Sequence, residues 1–248
     1  MLSRRFTQTN FSILRSLLLV LVAGWTTVSA QETLNYGIVS PNTKTKLNLR
    51  DAIAGMNSAA ESKLMNEAIN LSCVVRSRIK ASRALGSWSD GAEPSVLVRV
   101  RGDERALRYV LSRMGRDAEQ KYVIYFHPEP KGPADLYILK LRQGVQNLVG
   151  LTNALERAGI PFRTLVPSGG TTAIYIIDLD RDLRAKIMAA ARTLRARVSH
   201  ESGNAQLFGH DERRQAKVKF EEEINTYEAK NPNLPPPCDV QKARAKGH

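Results

Sequence analysis

The chain is poor in cysteine, in aromatic residues and in acidic residues relative to basic ones, and each shortage excludes something. Two cysteines, Cys73 and Cys238, cannot staple a small disulfide scaffold, and neither has a Cys or His neighbour at zinc-ligand spacing. Aromatic residues make up 6% of the 248 residues and do not interleave with basic ones as a stacking platform for nucleic acid requires. Beyond residues 17–23 no apolar run approaches the roughly 20 residues of a membrane-spanning helix. Only 16 Gly and 11 Pro rule out a collagen-like or low-complexity chain, and 42% hydrophobic residues are enough for a folded core. Catalytic signatures are missing as well. There is no Gly-x-Ser-x-Gly elbow, no His-Glu-x-x-His, no phosphate-binding Gly-Lys loop and no dinucleotide fingerprint.

Positive charge is abundant. Lys+Arg number 37 against 24 Asp+Glu, a formal net charge of +13, which favours an anionic partner. Residues 1–30 read as a cleaved signal peptide: Arg4, Arg5 and Arg15 precede the apolar run Leu17 to Ala23, and Val28-Ser29-Ala30 is a small-residue cleavage site. Cleavage removes three arginines and no acid, so the mature chain stays basic. These features predict a periplasmic or secreted protein of a bacterium, with no transmembrane span after signal removal. In an oxidising compartment Cys73 and Cys238 are expected to form a disulfide that ties the Pro-rich tail to an N-terminal helix.

The mature chain divides by pattern. Residues 31–47 are polar and aperiodic, an extended lead-in. Residues 48–230 form one α+β domain. Apolar residues from Leu49 through Leu64, Ala68, Leu71 and Val75 to Ile79 predict a long helix over 48–86, or two helices with a break, stopped by Gly86. Over 95–198, residues 103–141 and 144–179 read as two helix-strand-strand repeats, each with a Pro- or Gly-rich turn joining its strands. A third helix from about Asp180 carries Leu183, Ile187, Ala190, Leu194 and Val198. A loop over 199–209 precedes a charged helix, 211–230, with Ala216, Phe220, Ile224 and Tyr227 on one side. Residues 231–248 are a Pro-rich and basic tail. The expected fold is α+β, with a mostly antiparallel sheet of about five strands and helices on one face. The long N-terminal helix and the charged C-terminal helix flank the two repeats.

Candidate sites are sparse. Arg181, Arg184, Arg192 and Arg195 fall on one side of the third helix at 100° per residue, and Arg105 and Arg108 enrich the first repeat helix, so these six are candidates for an anionic surface. Trp88, with Asp90 and Glu93 in the 86–95 loop, is a candidate ligand loop. The same loop, including Ser89, combined with His127 would be needed for a Ser-His-acid hydrolase. Ser77 and Lys80 match Ser-x-x-Lys, but the accompanying elements of that chemistry are absent and a solvated basic face accounts for the pair. His200, His210, Asp211 and Glu212 lack metal-ligand spacing, and the aspartates of 178–182 fit helix capping better than a calcium loop. No catalytic residue, metal or cofactor is assigned. The expectation is an exported, non-enzymatic protein that binds an anionic envelope polymer, a membrane surface or a protein partner. An exported hydrolase using the 86–95 loop and His127 is the alternative. A nucleic-acid-binding or DNA-transfer accessory protein, favoured by charge alone, comes third.

Overall fold

A computed structural model describes residues 33–41, 59–88, 91–141, 157, 172–179, 181–193 and 195–239. Seven strands and four helices are found among them: β1 (Leu34–Val39), α1 (Ala59–Val74), β2 (Ile79–Trp88), β3 (Gly91–Arg101), α2 (Glu104–Asp117), β4 (Tyr122–Pro128), β5 (Ala134–Leu141), β6 (Thr172–Asp178), α3 (Arg184–Thr193), β7 (Arg197–Gly209) and α4 (Arg213–Lys230). The strands close into a barrel in the order β1-β3-β2-β6-β5-β7-β4. Every pairing is antiparallel except β2 with β6, which run parallel through Ala84↔Ala173 and Leu85↔Ile174.

The barrel has two apolar faces. Because side chains alternate across a strand, β3 sends Val96, Val98 and Val100 outward and Leu97 inward. The outer core is completed by Leu64, Ala68 and Leu71 of α1, Leu107, Val110, Leu111 and Met114 of α2, and Phe220 and Ile224 of α4. The inner core gathers Tyr36, Ile38, Ala84, Leu97, Phe126, Leu136, Ile138 and Tyr175. α3 lies against β7. Asp103 starts α2, its Oδ1 accepting the Arg105 N–H at 2.8 Å.

The α+β class and the antiparallel character match the sequence reading, and the details differ. There are seven strands rather than about five, and the sheet curls on itself instead of offering one covered face. The predicted long helix 48–86 ends at Val74 within its described part. Ile79–Trp88 is a strand, and residues 86–88 and 91–95 of the supposed loop belong to the paired strands β2 and β3. A strand, β1, lies inside the predicted lead-in, and β7 replaces both the end of the third helix and the loop after it. The strands of the first repeat, β4 and β5, do not pair with each other, because β7 lies between them. In the second repeat only residue 157 and residues 172–179, which contain β6, are described. Gly115 lies inside α2. It sits where a side chain would press on Val123 and Phe220, so its absence of Cβ lets β4 and α4 approach the helix.

Cys73 and Cys238 stand at disulfide distance, with Cα atoms 5.5 Å apart and 165 positions between them. The tail is held beside this link by Cys238 N–H donating to the Asn70 carbonyl (2.9 Å) and Arg76 Nη2 donating to the Asn233 carbonyl (3.0 Å). Leu234 packs on the outer core. Among the described residues no helix is long and apolar enough to cross a membrane.

Candidate anion-binding site

Register brings four cations from four strands to one mouth of the barrel. Arg99 follows Leu97 by two residues and so shares its inward face; Lys140 stands in the same relation to Ile138, and Lys80 to the face of Ala84. Lys80 is directly opposite Arg99 across the β2–β3 ladder, and Arg197 opposite Lys140 across β5–β7. Cross-strand partners project from the same face, so Arg197 points inward too. β2 and β6 run parallel and β5 antiparallel to both, so β2 begins where β5 ends. The Lys80–Arg99 pair therefore meets the Lys140–Arg197 pair at one opening.

Electrostatics register this convergence. Burial disfavours the Lys140 ammonium, and the charges of Arg99, Lys80 and Arg197 add to that, so its pKa lies below the ordinary lysine value. Lys80 and Arg197 are exposed, while Arg99 and Lys140 are half-buried. The Nε of Arg99 is fully buried and has no hydrogen-bond partner among the described residues. Deeper along β7, Glu201 shares the inward face of Arg197 and Ser199. Its Oε1 accepts the Tyr36 hydroxyl at 3.3 Å. Burial first, and then the Glu201 charge, push the Tyr36 pKa up to about 12, against a smaller downward pull from Arg99. Tyr36 therefore stays a neutral donor, its ring edge-on to Phe126 at 6.3 Å. Four cations thus cluster at this end of the barrel, with Glu201 and the buried inner core deeper along it.

The six arginines read from the sequence are distributed differently. Arg184 and Arg192 lie on α3 and are exposed, but Arg181 and Arg195 flank it with positive φ (61° and 50°), so the four do not form one helical row. Arg181 Nη2 donates to Ser202 Oγ at 2.7 Å and stands 3.9 Å from Asp135. Arg108 pairs with Glu223 at 3.0 Å and lies over the Phe208 ring, tying α2 to α4 and β7. Arg105 is exposed in the first turn of α2. Asp178 caps the turn before α3, accepting the N–H groups of Arg181 and Leu183.

Of the hydrolase residues, Glu93 and His127 are not brought together. His127 Nδ1 contacts Asn35 Oδ1 at 2.9 Å, and the β1 register places Asn35 opposite Val100. Glu93 lies seven residues before Val100 on β3, about 23 Å of strand at roughly 3.3 Å per residue. Ser89, Asp90 and the Trp88 side chain lie outside the described residues. Ser77 is in the turn after α1, its Oγ donating to the Arg101 carbonyl, whereas Lys80 is on β2, so these two do not share a helical turn. His200 Nε2 lies 3.2 Å from Asp135 and its ring stacks on Tyr137. No group of three or more His, Cys, Asp or Glu able to hold a metal is found among the described residues.

No protein-family model, curated protein or solved structure matches this chain.

Proposed function

We propose that this is an exported, non-enzymatic binding protein whose barrel mouth receives an anionic component of the cell envelope. The convergence of Lys80, Arg99, Lys140 and Arg197 on one opening carries the reading. Four cations facing one another repel, and Lys140 pays part of that cost; an anion between them would relieve it. Exposed Arg105, Arg184 and Arg192 would add long-range attraction without making specific contacts. Export is supported by the charged and apolar pattern of residues 1–30 and by the Cys73–Cys238 geometry, which suits an oxidising compartment.

The test is binding of the oxidised protein to isolated envelope material as salt is raised. Affinity is expected to fall by about an order of magnitude between about 50 and 300 mM salt. Replacing the exposed pair, Lys80→Gln with Arg197→Gln, should weaken binding at low salt without lowering the thermal midpoint, since it also relieves repulsion at Lys140. Binding that ignores both salt and these substitutions would remove the mouth from the account. Duplex DNA competing at equal concentration would move the reading to nucleic acid.

A further inference from the structure

The charges of α4 run against its own dipole. Arg213 and Arg214 open the helix with no acidic residue in the first turn, and Glu212 before them makes no side-chain cap. Over Arg213–Glu228 four cations, all in the first seven residues, precede four carboxylates. Positive charge at the N-terminus with negative charge beyond it is the unfavourable order for a helix. Lys217 lies four residues before Glu221 and 4.0 Å from it, the weaker orientation of such a pair. Part of the pattern serves the fold, since Glu223 pairs with Arg108 at 3.0 Å and Glu228 faces Arg113 at 3.6 Å. The rest faces away from it. The buried stripe is Ala216, Phe220, Ile224 and Tyr227; at about 100° per residue Val218, Glu222 and Asn225 stand opposite, with Arg214 and Gln215 beside them. All five are exposed, Val218 at 49%. Neither Arg214 nor Glu222 has an ion-pair partner among the described residues.

We propose that this face pairs with the same face of a second copy of the chain, the two α4 helices lying antiparallel across a two-fold axis at Val218. A two-fold contact presents one patch to itself, so the patch must be self-complementary. Turning α4 about Val218 brings position 214 level with position 222. Arg214 of each copy then meets the Glu221-Glu222 step of the other, and the two Val218 side chains cover each other at the axis. The antiparallel arrangement also opposes the two dipoles, so a charge order that is unfavourable within one helix becomes favourable between two. A parallel pair would instead set cations against cations and carboxylates against carboxylates. Copies of a chain carrying +13 repel, but over Arg213–Glu228 the four cations and four carboxylates cancel, so this face can approach its like. Lys217 and Lys219 flank the axis and limit the strength of the contact. One helix per copy with a single apolar residue at its centre is a small interface, so the association is weak and salt-dependent.

Sedimentation equilibrium of the oxidised chain tests this. At about 50 mM salt the weight-average mass should rise from one chain toward two between about 5 and about 500 μM protein, and about 500 mM salt should weaken the association about tenfold or more. Arg214→Glu alone, and Glu221→Arg with Glu222→Arg, should each leave a monomer, because each sets like charges opposite one another. An equimolar mixture of the two variants should associate again as a mixed pair, since each then supplies the charge the other needs. Lys186→Glu, the same charge change at an exposed position of α3, should not weaken association. Circular dichroism checks that each variant is folded, and the wild-type dependence on concentration and salt needs no variant at all. A chain that stays monomeric throughout overturns the proposal. So does association that ignores the charge reversals, or a pair of variants that stays monomeric on mixing. The anion-binding reading rests on the barrel mouth and is untouched by either result.

Discussion

At the scale of single residues, one missing side chain governs how the helical layer meets the barrel. Gly37 faces outward on β1, and a Cβ there would overlap the Leu111 side chain of α2. Glycine lets the helix lie directly on the strand. Gly37→Ala should destabilise by about 1–3 kcal/mol, the usual cost of overpacking a filled core, and lower the thermal midpoint by roughly 2–10 °C. Adding Leu111→Ala should recover part of that loss if the clash is its cause, which a double-mutant cycle measures. An additive double mutant would mean that α2 does not press on β1 at this point. The cations of the mouth belong to the same scale. Arg99 and Lys140 each stand near the end of a strand, as in Leu97-x-Arg99 and Ile138-x-Lys140, whereas Lys80 and Arg197 stand at the start of β2 and β7. Their convergence was not visible, because Lys80, Arg99, Lys140 and Arg197 lie on four separate strands and only the pairing register brings them together.

Between elements, the joint of α1 with α2 contains a carboxyl pair. Glu67 of α1 has a buried Oε1 with no hydrogen-bond partner among the described residues. Burial, then the charge and hydrogen bond of Asp117 at the end of α2, push its pKa up to about 7, against the pull of Arg113 and Lys63. Burial would raise Asp117 too, but its 2.7 Å bond with Arg116 and its bond with Glu67 hold it below the usual value. Glu221 of α4 also faces Arg116. A carboxyl raised on folding contributes stability that is complete below its unfolded pKa near 4.5 and is lost as pH climbs through about 7. Glu67→Gln should therefore match the wild type at about pH 4.5 and melt on the order of 2–4 °C higher at about pH 8. The same offset at both pH values would show that Glu67 does not titrate in this window. The elements that were legible in the sequence, α2, β4, β5, β6 and α4, have clean alternation or a clean apolar stripe. Those that were not legible break it. β1 carries buried Asn35 and outward Gly37, and Ile79, the first residue of β2, continues the apolar helical spacing of α1. β7, half-exposed along most of its length, is rich in small polar residues and looks like a loop.

For the whole molecule, the disulfide links α1 to the end of the described chain, across nearly all of the barrel. Closing so long a loop restricts the unfolded chain, an effect of up to roughly 5 kcal/mol in the loop-entropy account. Reduction should then lower the thermal midpoint and free the tail, which is otherwise held by Asn70, Arg76 and Leu234. The bond and the export reading stand or fall together, because such a bond persists only outside a reducing cytosol. Intact mass of the native protein from separated cell fractions tests both at once. The expected species begins at Gln31, is found outside the cytosol and gains about two mass units on reduction. A full-length, unbridged chain in the cytosol would sink export and deprive the tail of its main anchor. It would also set the cationic mouth among nucleotides and nucleic acids, where phosphates are plentiful and an envelope ligand is not.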